Sequence, residues 1–472
     1  MEYPMRIAGE AVTSSRKQQV ALPFDGSPVG TIFQATAEQV DAAVAAAKAA
    51  APIMREMPAF ERAAILRKAH EKLMSRLDEF GKAISSESGK PIKEGRLEAD
   101  RAAWTLLFSA EEANRLCGEV VPMEASPAGK GHMAMTVREP LGVIAAITPF
   151  NFPLNLSMHK IGPAIAGGNT VVHKPASSTP ISGILLAELL AECGLPKGAL
   201  NVITGPGGSI GEQLVFHKDV AMVTFTGSVE VGLRLRNLAG MKRVTLELGN
   251  NAAVIVEDDA NLDEAVPRCV AGAFAHSGQV CISVQRIFVQ ERIRAAFVER
   301  MVEHTKKLRV GHPHEASTDI SSLITEKEAQ RVESWIGEAL EHGAKLMTGG
   351  KRTRATMEPA VLTDVPANVQ LACREAFGPV AFVNSYSTLD DAIAKVNDSD
   401  YGLQAGIYTR DIQKAFQTAR KVHVGGFMIN EIPQYRVDHM PYGGVKMSGV
   451  GREGPKYAVE EMTEPKLICW KV

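Results

Sequence analysis

Apolar positions along this chain change period twice. Between residues 36 and 117 they recur at helical spacing, with Val40, Val44 and Ala47 in one run and Ile65, Leu66, Ala69 and Leu73 in another. Pro52, Pro58 and Pro91 punctuate that stretch and predict helix boundaries. Across 118–138 the helical period gives way to polar, glycine-containing sequence that reads as a loop or a projecting hairpin. From residue 141 short apolar runs alternate with helical segments. The predicted strands are Leu141–Thr148, Thr170–Lys174, Ala199–Ile203, Ala221–Phe225 and Lys242–Leu248. Between them Leu154–Ala166, Ile181–Cys193, Ser209–His217 and Val229–Leu238 read as helices. Such alternation predicts an α/β fold, a parallel sheet covered on both faces. A second alternating region opens at Ala252–Val256 and adds strands at Gln285–Val289, Val380–Val383 and Phe427–Ile429. The tail closes on an apolar segment, Leu467–Trp470, which either another subunit or the chain's own sheet must cover.

A chain of 472 residues, 45% hydrophobic and 22% charged, exceeds one typical core. At roughly 100–200 residues per domain, two or three domains are expected. The formal net charge of −2 gives no reason to expect a nucleic-acid or anionic-membrane partner. No stretch approaches the ~18 apolar residues of a membrane span, and Met1–Arg6 lacks the apolar core of a signal peptide. Six cysteines (Cys117, Cys193, Cys269, Cys281, Cys373 and Cys469) are scattered, with no CxxC pair and no Cys/His cluster of zinc spacing. That pattern fits reduced thiols and a cytoplasmic location, and predicts no metal site.

Two strand-to-helix turns are suited to phosphate. Gly205–Gly211 resembles GxGxxG but is one residue too long, and Phe225-Thr226-Gly227-Ser228 joins the next strand to its helix. Adjacent turns of this type at helix N-termini would form a pyrophosphate cradle. Three further residues suggest covalent chemistry at a carbonyl: Cys281 as thiol, Glu247 as carboxylate and Asn151 as amide donor. Taken singly, each has a plain structural reading: a buried small hydrophobe, an ion pair, a helix N-cap.

Together these segments resemble the aldehyde dehydrogenase superfamily over nearly the whole chain. The resemblance rests on Ile147–Pro153, His173–Ala176, Phe225–Ser228, Leu246–Gly249, Gly278–Cys281, Glu375–Pro379 and Pro441–Lys446, in family order. It implies that the Cys281 thiolate attacks an aldehyde and that Asn151 and the Cys281 backbone N–H stabilise the oxyanion. Hydride then leaves for a nicotinamide, and Glu247 activates the water that hydrolyses the thioester. It implies NADP or NAD as cofactor, held among Ile147, Thr148, Phe150, Lys174, Ser177, Gly207, Gly211, Phe225, Gly227, Ser228, Leu248, Glu375 and Phe377. Lys174 would meet the adenine ribose, Glu375 the nicotinamide ribose, and Phe377 the nicotinamide ring. Lys160 and His159 read as ordinary helix residues.

Two positions depart from the family pattern. Asn250 replaces the second glycine of the usual Glu-Leu-Gly-Gly, and Ser177 stands where NAD-preferring members often carry a glutamate. Serine removes the repulsion of a 2′-phosphate, so the expectation leans to NADP or dual use. The segments Cys281–Arg286 and Arg436–Tyr442 resemble the branch that includes lactaldehyde dehydrogenases. A small, polar or acid-bearing aldehyde is the expected substrate, with Arg101 and Arg436 as candidates for an anionic tail; an ion pair is the alternative for each. A CoA-acylating enzyme and a non-catalytic protein of this fold are the competing readings; Glu247 argues against the first, and the intact trio against the second.

The resemblance also implies a Rossmann-type cofactor domain (1–119 and 139–247), an α/β catalytic domain (248–445) and a small β oligomerisation element (120–138 with 446–472). A homodimer or homotetramer would follow.

Overall fold

The computed structural model covers residues 1–472. Four helices fill the first region: Ala37–Glu56, Ala59–Met74, Leu77–Ser88 and Ile92–Arg115. Thr36 starts the first with a capping box, its hydroxyl accepting from the Gln39 N–H while the Gln39 side chain accepts from the Thr36 N–H. Pro58 and Pro91 stand at helix starts as expected, but Pro52 does not end a helix. It is exposed inside the last turns of Ala37–Glu56, and the fully buried Met54 beyond it anchors the final turn to the core. Burial there offsets the ~3 kcal/mol that an interior proline costs.

The alternating regions form two sheets. In the eight-stranded sheet the order is Gly449–Val450, Arg243–Glu247, Val220–Thr226, Val143–Ile147, Thr170–Lys174, Leu200–Val202, Met5–Ile7 and Glu10–Val12. The five strands from Arg243–Glu247 to Leu200–Val202 are parallel. Val143–Ile147 is buried at every position, which is why it reads as a continuous apolar run, and Thr170–Lys174 is equally buried although it ends in His173 and Lys174. The chain leaves Val143–Ile147 toward one side, then crosses back to build the other. A crevice therefore opens beyond the carboxyl ends of these strands.

The seven-stranded sheet runs Lys345–Thr348, Ala360–Thr363, Val380–Tyr386, Val284–Gln290, Ala252–Val256, Gln404–Tyr408 and Gly426–Ile429, parallel except at its first strand. Its strands Lys345–Thr348, Ala360–Thr363 and Gln404–Tyr408, and the short Met5–Ile7, Glu10–Val12 and Gly449–Val450 of the first sheet, are not singled out by the sequence pattern. Residues 118–138 include a projecting strand pair, Val120–Val121 against His132–Pro140. Along the other edge of His132–Pro140 runs Thr463–Lys471, so the apolar tail joins the chain's own sheet and forms its exposed edge.

Leu248–Asn251 links the sheets, so the carboxyl ends of one face the amino ends of the other. Cys281 arrives just before Val284–Gln290 through a turn of left-handed residues, His276, Ser277 and Gly278 (φ 48°, 54° and 74°). A Cβ on Gly278 would lie 2.0 Å from the Gly378 carbonyl oxygen. Gly278→Ala should therefore lose roughly 1–3 kcal/mol to overlap alone, read as a lower urea midpoint.

Candidate active site

A cavity of about 700 Å³ opens between the two sheet edges. From the first sheet it receives Ile147, Thr148, Phe150, Asn151, Lys174, Ser177, Gly207, Gly211, Phe225, Gly227, Ser228, Glu247 and Leu248. Cys281, Glu375 and Phe377 come from the amino ends of the second. Every residue the sequence assigned to catalysis or cofactor thus lines one space. Arg101 and Arg436 do not.

Asn151 is buried on the loop after Val143–Ile147, and its Nδ2 donates to the Gln279 carbonyl at 2.9 Å. The loop is pinned from below, because Glu98 accepts the N–H groups of Leu154 and Asn155 while pairing with the buried Lys90. Lys90 lies 3.7 Å over the Phe152 ring. Gln279 in turn accepts the Ile324 N–H at 2.8 Å, which fixes the turn that carries Cys281.

Cys281 is half-buried, with Sγ 2.8 Å from the Tyr442 hydroxyl. Burial pushes its thiol up to about 12, and the Tyr442 hydrogen bond and the Arg436 charge offset part of that. Glu247 ends its strand buried, and its Oε2 has no hydrogen-bond partner. Burial, followed by the nearby Glu453 charge, raises its pKa well above the usual carboxylate range. A buried acceptor without a donor costs about 1–3 kcal/mol.

Behind Glu247 lies a buried ion cluster. Lys160 Nζ donates to Glu453 and to the Thr226 hydroxyl, both at 2.7 Å. Arg436 reaches the other Glu453 oxygen at 3.1 Å and stacks 3.7 Å over the Tyr442 ring. His159, also buried, lies 3.0 Å from both Asp438 and Arg436. Lys160 and His159 are therefore not ordinary helix residues. A lysine followed by the apolar run Ile161–Ala166 was a signal for a buried partner, but nothing local named Glu453. Arg101 forms a two-toothed pair with Asp438 at 2.8 and 3.1 Å.

The cavity fits a nicotinamide dinucleotide. Its volume lies within the about 300–1,000 Å³ usual for ligand pockets. Gly207 and Gly208 border open space, so the backbone there is accessible to a phosphate. The Gly207–Gly211 segment is a wide turn preceding the short helix Glu212–Phe216, where the sequence predicted one continuous helix. Ser228 caps the next helix. Lys174 is buried with only the Pro175 carbonyl as partner, at 3.0 Å, and burial lowers its pKa to about 8. Glu375 accepts the Asn250 N–H at 2.9 Å, and burial raises its pKa to about 7. Asn250 thus keeps the backbone donor the site uses. Phe377 is held at φ 48°, its ring 5.7 Å from Phe150.

A parallel sheet whose carboxyl ends meet a thiol, a free carboxylate and a dinucleotide-sized cleft defines a cofactor-linked oxidoreductase. Residues 11–468 match the aldehyde dehydrogenase family. The chain is 50% identical over 467 residues to 3-sulfolactaldehyde dehydrogenase of Priestia aryabhattai, covering 99% of this chain and 98% of that one. It superposes with a TM-score of 0.97 on aldehyde dehydrogenase 21 from Physcomitrella patens in complex with the reaction product succinate (39% identity; 100% of this chain, 98% of that one). The NADP-dependent glyceraldehyde-3-phosphate dehydrogenase from Bacillus halodurans C-125, complexed with NADP, also gives a TM-score of 0.97 (38% identity; 100% and 99% covered). The chain belongs to the aldehyde dehydrogenase family. It is an NAD(P)-dependent enzyme that oxidises an aldehyde.

The ion cluster carries its own test. Lys160→Met leaves Glu453 short of a buried partner, and such losses typically cost ~3–5 kcal/mol. Urea unfolding should show that drop, whereas an unchanged midpoint would show that Arg436 alone suffices.

Proposed function

We propose that Cys281 is the nucleophile, Glu247 the general base, and Asn151 with the Cys281 backbone N–H the oxyanion donors. The observation that carries this reading is a thiol and a buried, unpartnered carboxylate oxygen in one cavity. Asn151 suits its role because an amide has two N–H donors. One is committed to the Gln279 carbonyl and fixes the side chain, which leaves the other for a developing oxyanion. The thiolate adds to the aldehyde carbon, and the resulting oxyanion takes up these donors. When bound, the oxidised nicotinamide supplies the hydride acceptor. Glu247 then removes a proton from water as it attacks the thioester, releasing the carboxylate and restoring Cys281.

Lys174 and Ser177 serve the adenine ribose in this reading. Gly207, Gly211, Gly227 and Ser228 serve the pyrophosphate, and Glu375 and Phe377 the nicotinamide end. Ser177 donates to the Gly205 carbonyl at 2.7 Å and brings no negative charge, which favours NADP or dual use. Residues 1–119 with 139–247 form the cofactor-binding domain and 248–445 the catalytic one. The exposed strand of 446–472 against 120–138 mediates a homodimer or homotetramer.

The substrate we favour is a small aldehyde with an anionic tail. Sulfolactaldehyde, succinate and glyceraldehyde 3-phosphate, named for the similar proteins, all carry one. Our candidate for the tail is Arg101, which lies outside the lining of the cavity and whose Nε and Nη2 are held by Asp438, while Nη1 makes no hydrogen bond within the chain. Arg436 Nη2 is engaged by Glu453 and His159 and the guanidinium stacks on Tyr442, so it serves the fold of the site.

Cys281→Ala should abolish reduced-cofactor formation, while Glu247→Gln should give one burst per site and then stall. Hydrolysis of the acyl-enzyme needs ionised Glu247. In single-turnover experiments it should therefore rise with pH through that raised pKa and fade below it. Unchanged steady turnover in Glu247→Gln, or strict dependence on CoA, would overturn the hydrolytic reading. Arg101→Ala should lower kcat/KM for succinate semialdehyde about tenfold or more, the loss of a charge-assisted contact, and leave a plain alkanal unaffected with either cofactor. Equal losses for both aldehydes would remove Arg101 from substrate recognition.

A further inference from the structure

The Tyr442 hydroxyl is the one hydrogen-bond partner of the Cys281 sulfur, at 2.8 Å, and it makes no other hydrogen bond. No histidine or lysine is hydrogen-bonded to Sγ. Tyr442 is almost wholly buried, and its ring is held by a closed set of contacts. Its backbone exchanges hydrogen bonds with Glu453 at 3.1 and 2.6 Å. The Glu453 carboxylate holds Arg436 at 3.1 Å, and the Arg436 guanidinium lies 3.7 Å over the Tyr442 ring. Backbone, ion pair and ring face thus fix where the phenolic oxygen points.

We propose that Tyr442 is a positioning residue whose hydroxyl donates a hydrogen bond to the Cys281 thiolate, favouring the ionised nucleophile and aiming it into the cavity. The proposal rests on Cys281 being the nucleophile. A donor in that place must favour S⁻ over S–H, because a thiolate accepts far more strongly than a thiol. Tyr442 remains the donor, since burial and the nearby Cys281 charge push its own ionisation well above the usual phenol range. The thiol proton leaves to solvent, and Tyr442 keeps its own. Other charges facing the pair act in both directions. Arg436 favours the thiolate, while Glu247 and Glu375 oppose it. With the two carboxylates opposing, one directional hydrogen bond and one cation carry the favourable side.

The test is iodoacetamide alkylation of the full-length enzyme without cofactor, following the Cys281-containing peptide by mass spectrometry as pH is varied. Tyr442→Phe keeps the ring and the Arg436 stack and removes only the hydroxyl. Losing a hydrogen bond to a charged group should raise the Cys281 midpoint by about one pH unit and slow alkylation near neutral pH about tenfold. Replacing Tyr442 alone with 3-fluorotyrosine, a stronger donor of almost the same shape, should move the midpoint the other way. A purely structural role would not produce opposite shifts. An unchanged midpoint in both variants, or shifts of the same sign, would overturn the assignment. Turnover in Cys281→Ala separates the two readings: if it persists, the nucleophile assignment itself fails. A dead Cys281→Ala enzyme with unmoved midpoints removes Tyr442 alone.

Discussion

A crevice cut between two sheet edges must hold several charges away from water without leaving them unpaired. This constraint organises the protein around its site. An uncompensated buried charge costs several kcal/mol, comparable with a large fraction of a domain's net stability. The chain meets it with pairs drawn from distant segments: Lys160 with Glu453, Arg436 with Glu453, and Lys90 with Glu98. Each pair also positions a loop of the cavity. Glu98 fixes the start of the helix after Asn151, and Glu453 fixes Tyr442 through both its backbone and Arg436. Glu247 Oε2, which faces the cavity, is left without a hydrogen-bond partner.

The same constraint explains what the sequence disclosed. Strands such as Ala252–Val256 and Thr170–Lys174 were legible to the residue because both faces are buried and their ends are abrupt. Residues that line the cavity were legible because they sit on short motifs at strand ends, where local spacing carries their relation. Partners in the ion cluster were not. Lys160 and Glu453 are separated by 293 positions, and no local period can join them. Pro52 misled for a related reason, since the burial of Met54 that overrides it is a tertiary fact. Met5–Ile7 and Glu10–Val12 are too short to show alternation and are strands only because Leu200–Val202 offers an edge.

Two glycines sit against the carboxylates of the site. A Cβ on Gly249 would meet Glu375 Oε2 at 2.6 Å, and one on Gly443 would meet Glu247 Oε1 at 2.8 Å. Both glycines give a carboxylate the space to approach the backbone. Asn250 needs no such allowance, because its φ is not in the left-handed region and the site uses only its N–H. That is why the departure from the family pattern leaves Glu375 in place.

Burial raises the pKa of both Cys281 and Glu247, and the Glu247 charge opposes ionisation of Cys281. On the proposed roles a neutral Glu247 suits the attack, because the carboxyl then neither repels the nucleophile nor acts early as a base. What holds Glu247 protonated is burial and, after it, the Glu453 charge, with Lys160, Arg436 and Arg452 acting the other way. Glu453 belongs to the buried ion cluster, so the cluster that shapes the site also sets how readily its base ionises.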